Sequence, residues 1–135
     1  MASFERLEIV EVKMGYPVQH YKDLIVWQKA MDLVCLIYEV TKSFPKDELY
    51  GLTSQIRRAV VSVPSNIAEG QARQSTPEFK RFLSIARGSM AEIETQLLIG
   101  LRLNYFRESQ LHKIMAIHTE ISKMLPALMS KLTEP

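Results

Sequence analysis

The chain has little that could staple it or interrupt it. One cysteine, Cys35, in 135 residues excludes an internal disulfide and any cysteine-based zinc site. Five glycines and six prolines leave no room for collagen-like or low-complexity sequence. No apolar run approaches the roughly 18 residues of a membrane span. The stretch from Met1 to Arg6 is no secretory signal, because acidic residues are scattered through the N-terminus and no apolar core follows. An excess of one charge sign is also missing: 17 basic against 15 acidic residues give +2, too even for net charge alone to indicate nucleic acid. What remains, 47% hydrophobic and 24% charged, suits one globular domain with enough core to fold unaided. The expectation is a reduced, cytoplasmic, single-domain protein.

Residues 1–20 stand apart as an N-terminal arm, and residues 21–133 form the domain. In the arm, Glu8-Ile9-Val10-Glu11-Val12-Lys13 roughly alternates and Gly15-Tyr16-Pro17 breaks any regular element. It reads either as an unstructured arm or as a short strand that docks on a neighbouring subunit. From Asp23 the pattern is helical. Asp23 is expected to cap a first helix with the stripe Leu24, Trp27, Met31, Val34 and Tyr38, ended by Phe44-Pro45. A second helix carries Leu52, Ile56, Ala59, Val63, Ile67 and Gly70 on one face. Ser75-Thr76-Pro77-Glu78 opens a third as a capping box, with Phe79, Leu83, Ala86, Met90, Ile93, Leu97 and Leu101 as its stripe. After a break at 104–108, Leu111, Ile114, His118, Ile121, Leu125, Leu128 and Leu132 mark a fourth. Four amphipathic helices with short connections predict an all-α, up-down-up-down four-helix bundle.

The first helix has a second apolar strip, Val26, Ala30, Leu33, Ile37 and Val40. The fourth has Met115, Ile117, Met124 and Met129 beside its seam. One bundle needs less apolar surface than this, so these strips are expected to be covered by further copies of the chain.

Catalytic and metal chemistry find no support in the spacing. His112 and His118 are six residues apart, about 120° in azimuth on a helix, so they make no i, i+4 ligand pair. His118 fits a hydrogen-bonded core or interface position, and His20 stands alone. Glu69, Glu92 and Glu94 lack the Glu-x-x-His partners of a di-metal carboxylate bundle. No nucleophile with an adjacent base can be drawn, and Cys35 has no basic neighbour in sequence to activate it. The expectation is a protein that is no enzyme and holds no cofactor or metal.

The most informative stretch runs from Gln55 to Arg73. Pro64 within it should kink the second helix, with Ser62 and Ser65 satisfying freed backbone groups. Glu69 and Arg73 are spaced to pair. Gln55, Ser62, Asn66 and Glu69 suit a polar network to the third helix through Glu92 or Gln96, where Gly88 and Ser89 would allow close approach. Between Arg57 and Arg102 seven basic residues face four acidic ones. Repeated around an oligomer, that bias becomes a field for a polyanion. Arg57, Arg58, Arg73, Lys80, Arg81 and Arg87 are the candidate phosphate contacts.

Several of these motifs, in this order, resemble the family encoded in intervening sequences of bacterial 23S ribosomal RNA genes. The resemblance rests on the run from Tyr21 to Ala30, Phe44-Pro45, Tyr50-Gly51-Leu52, Gln55 to Ala59, Pro64 to Gly70 and Phe82 to Leu97. It spans about residues 20–130. It implies a four-helix bundle assembled as a ring-shaped homopentamer that binds RNA, either ribosomal RNA or its intervening sequence. The family is also similar to the accessory proteins of diversity-generating retroelements. That likeness implies the alternative of a scaffold whose partner is another protein, such as a reverse transcriptase.

Overall fold

The computed structural model describes residues 20–132, all of whose regular elements are helical. A single 3-10 turn at Tyr21–Asp23 leads into α1 (Ile25–Thr41). A second, at Lys46–Glu48, precedes α2 (Leu52–Ala72), and α3 (Thr76–Arg102) and α4 (Glu108–Leu132) follow. Each helix packs on its neighbours in sequence, and α1 closes the set against α4. The result is the four-helix bundle that the periodicity predicts. The N-terminal arm, apart from His20, lies outside the described residues.

The stripes of α2, α3 and α4 are where the sequence puts them. Ile56, Val63, Ile67, Leu83, Ile93, Leu97, Ile121 and Leu125 are wholly buried. The assignment for α1 holds only in part: Leu24 is buried, but the expected stripe is not the main core face. Its core strip is Val26, Ala30, Leu33, Ile37 and Val40, each at most 5% exposed, whereas Met31 and Tyr38 are 41% and 39% exposed. Once two adjoining strips are both apolar, the facing helices decide which one turns inward. Here the compact aliphatic strip meets α2 and α4; of the other strip Leu24 is buried, Trp27 and Val34 are half-buried against the core, and only Met31 and Tyr38 stay outside. The methionine-rich flank of α4 is half-buried against this same core, so Met115, Ile117, Met124 and Met129 do not form the open strip expected of them.

The helix ends also depart in part from the sequence reading. Asp23 belongs to the 3-10 turn, and Leu24 precedes α1 without a side-chain cap. Ser75 does cap α3 by accepting from the Glu78 N–H at 3.4 Å. The Glu78 carboxylate, however, turns to arginines instead of closing the box. Two helices carry internal prolines: Pro64, which the sequence reading marked, and Pro126 in α4, which it did not. Neither proline ends its helix; Pro64 is buried and Pro126 is half-buried. The carbonyl that Pro64 leaves without a helical donor is that of Val60, and neither predicted serine reaches it: Ser62 bonds to Ser89, and Ser65 is exposed.

Two glycines permit close approaches. A Cβ on Gly70 would stand 2.7 Å from the Phe82 Cβ, so α2 and α3 meet there through bare backbone. Gly100 lets the rings of Phe44 and Phe106 close the opposite end. Gly88 is a correction: nothing lies within 4 Å of a Cβ built on it, so it serves no close packing.

Candidate nucleic-acid interface

The α2–α3 pair carries all six candidate cations. Its antiparallel register is fixed by a polar seam, in which the Ser62 and Ser89 hydroxyls meet at 2.7 Å and Gln96 donates to Gln55 at 3.5 Å. Asn66 completes the seam by donating to the Ser62 hydroxyl at 2.9 Å. The network therefore runs through Ser89 and Gln96, while Glu69 and Glu92 stay outside it and are exposed. Gln96 is 5% exposed, and its Oε1 has no hydrogen-bond partner. A second polar contact is internal to the bundle: His118 is 4% exposed, and its Nε2 lies 2.8 Å from the Met90 carbonyl. It is the core histidine that its seam position suggests.

The cations divide into two kinds. Arg57 is committed inward, where its Nε donates to the Thr41 hydroxyl at 2.8 Å and its guanidinium lies over the Tyr38 ring at 4.6 Å. Thr41 in turn donates to the Ile37 carbonyl, so Arg57 ties α2 to the last turn of α1. Arg73 and Arg81 are drawn together where α2 turns into α3. Their guanidinium carbons lie 5.0 and 4.5 Å from the centre of the Phe82 ring. Arg73 pairs with Glu69 at 2.8 Å, as its spacing predicts, and approaches Glu78 at 3.8 Å. Arg81 pairs with Glu78 at 3.0 Å. The hydrogen bond from Arg81, aided by both arginine charges, holds the Glu78 carboxyl below its usual range and raises Arg81 in return. Two arginines and two glutamates make this cluster neutral.

Arg58 and Arg87 are exposed and Lys80 is half-buried, and none of the three pairs with an acid among the described residues. Arg58 and Arg73 are fifteen residues apart, which at 1.5 Å per residue is about 22 Å along α2. The six cations are thus spread over the helix pair and do not form one pocket. Sequence spacing finds the Glu69–Arg73 pair but misses the Phe82 platform and the Arg57–Thr41 tie. Both arise between helices, and no i, i+4 rule reports on them.

The far end of the pair is held by Glu48. Its Oε1 accepts from the Leu52 N–H at 3.0 Å and its Oε2 from the Tyr105 hydroxyl at 2.7 Å. The backbone bond, then the phenol, lowers the Glu48 pKa, and Tyr105 is raised by the same contact. This bond brings the loop after α1 and the turn after α3 to one end of the bundle. Leu49 (50% exposed), Tyr50 (94%) and Leu103 (51%) gather at that end, with Leu98 and Ile99 leading up to it.

Among the described residues no group of three or more His, Cys, Asp and Glu side chains is placed to hold a metal ion. No described helix is long and apolar enough to cross a membrane.

Fold and surface together define a helical-bundle protein whose polar features are cations on one helix pair. A crystal structure at 1.70 Å of a protein of unknown function from the S23 ribosomal protein family of Bacteroides thetaiotaomicron is similar to it. The TM-score is 0.72 at 27% identity, over 78% of this chain and 98% of that one. The model of the 23S rRNA-intervening sequence proteins matches residues 22–127, and the chain belongs to that family. No curated protein matches it.

Proposed function

We propose that the protein is a non-catalytic, homo-oligomeric RNA-binding bundle acting on ribosomal RNA or its intervening sequence. The observation that carries this reading is the trio Arg58, Lys80 and Arg87, cations on one helix pair without acidic partners among the described residues. Arginine's planar donor fork suits phosphate oxygens, and such contacts give affinity and position more than sequence choice. Arg57, Arg73 and Arg81 belong to the same helix pair, but they are engaged within the chain, so their share in phosphate binding is the smaller. Assembly multiplies the trio around a ring, which we take to be a pentamer. The apolar end formed by Leu49, Tyr50 and Leu103 supports such association, because exposed clusters of this kind are uncommon on monomers.

The same apolar end supports a second reading, a scaffold or accessory module that seats another protein, such as a reverse transcriptase. Native mass spectrometry of protein purified without nuclease separates the two. The first reading expects an oligomer carrying RNA that salt strips away. The second expects nucleic-acid-free protein with a co-purifying polypeptide. A bare 15.5 kDa particle overturns both.

A further inference from the structure

We infer, resting on the RNA-binding reading above, that the cavity beside the turn from α3 to α4 seats one unpaired guanine nucleotide of the strand. The cavity measures about 650 Å³. Its lining includes Ser43, Asn104, Tyr105, Phe106, Arg107 and Glu108, whereas Leu49, Tyr50 and Leu103 of the exposed apolar end are not part of it.

The walls are fixed from behind. The Tyr105 hydroxyl donates to Glu48 at 2.7 Å, and the Tyr105 carbonyl accepts from the Ser43 hydroxyl at 3.2 Å. Phe106 is buried and stacks on Phe44 with ring centroids 5.9 Å apart. The backbone of the turn is satisfied too. The Asn104 N–H donates to the Leu101 carbonyl at 2.9 Å, and the Arg107 N–H to the Gln110 Oε1 at 2.9 Å. What is left over is the side chains of Asn104, Arg107 and Glu108. All three residues are exposed, and none of these side chains has a hydrogen-bond or ion-pair partner among the described residues.

A free cation and a free anion on adjacent residues narrow the choice of ligand. Glu108 repels a simple anion, and Arg107 repels a metal ion. A guanine nucleotide answers both charges. Its N1–H and amino group donate side by side to one carboxylate, its O6 accepts from a carboxamide, and its phosphate takes a guanidinium fork. Adenine, cytosine and uracil each offer a carboxylate one donor group with an acceptor beside it. Tyr105, half-buried, brings an aromatic ring to the lining, and unpaired bases stack on such rings. Because Glu48 bonds to both Leu52 and Tyr105, the cavity shares an end of the bundle with the start of α2. Arg58 lies six residues beyond Leu52, about 9 Å along that helix, so it is the unpaired cation nearest to that end.

Saturation-transfer NMR on the full chain, with guanosine 5′-monophosphate (GMP) and the three other nucleoside monophosphates, tests this. GMP is expected to bind roughly tenfold tighter than the others, the discrimination of one bidentate pair. Arg107→Gln is expected to weaken GMP about tenfold and to leave guanosine, which has no phosphate, unaffected. Glu108→Gln is expected to bring GMP down to the level of the other nucleotides. A uridine strand with one central guanosine is expected to displace GMP, and the same strand with a central adenosine is not. No GMP signal, equal binding of the four nucleotides, or variants that change nothing would overturn the inference. So would a guanosine strand that leaves GMP in place, which marks a site for free nucleotide. RNA affinity that falls with Arg58→Ala and Arg87→Ala while GMP stays unbound overturns the role of the cavity alone. A protein without RNA affinity overturns the underlying reading as well.

Discussion

Gly70 and Phe82 approach so closely that a methyl group on the glycine would stand 2.7 Å from the Phe82 Cβ. That atom is fixed to the α3 backbone, so relief requires moving the helix. Gly70→Ala gains about 1 kcal/mol of helix propensity but incurs overpacking of about 1–3 kcal/mol. Net destabilisation is expected in urea unfolding. Gly88→Ala, with open space around it, is expected to stabilise by about 0.4–1 kcal/mol. The reverse order of the two variants would show that the helices meet elsewhere.

His118→Ala removes a buried ring and its bond to the Met90 carbonyl. The expected loss is on the order of 2 kcal/mol, mostly from the cavity. Metal content, measured by plasma emission on the wild type and variant, is expected to be the same. A bound metal lost with the ring would assign His118 a ligand role.

Glu48 and Glu78 have pKa values held below the ordinary carboxylate range by their donors. A carboxylate with a depressed folded pKa lends stability above its unfolded pKa, and this is lost as pH falls through the folded value. Acid unfolding should therefore steepen below the ordinary range. Glu48→Gln should flatten part of it, and Tyr105→Phe a smaller part, since the Leu52 N–H is the larger cause for Glu48. Superimposable acid titrations of Glu48→Gln and the parent would remove this account.

For RNA binding, Arg58→Ala with Arg87→Ala is expected to weaken affinity at low salt. It should also reduce the slope of log affinity against log salt by up to about 0.7 per lost phosphate contact on single strands. Arg57→Ala is expected to act mainly on stability, because it unties α2 from Thr41. Fluorescence anisotropy across a salt series tests both. A slope carried by Arg57 alone would reverse the division of the cations.

Helix number, order and three of the four core faces were legible in the chain because each follows from apolar spacing within one element. Leu83, Ala86, Met90, Ile93 and Leu97 recur at one turn's interval and have nowhere else to go. The α1 face was not legible. Val26-Ala30-Leu33-Ile37 and Trp27-Met31-Val34-Tyr38 are equally periodic, and only packing against α2 and α4 separates them. The cation face was half legible. Glu69–Arg73 is a local pair, whereas the meeting of Arg73 and Arg81 on Phe82 needs the turn between α2 and α3 to be folded. Glu78 shows how a local rule yields: its carboxylate could have closed the cap at Ser75, and two nearby guanidinium groups outbid a single amide.

The carboxylate of Glu48 serves two masters, the first turn of α2 and the phenol of Tyr105. Drift at either position is thereby coupled to the other. A lineage that discards the acid has no further use for the hydroxyl, and lengthening one of the two loops it joins requires the other to be rebuilt. Sister sequences should accordingly keep or lose this pair together, leaving a paired signature across fifty-seven positions of chain.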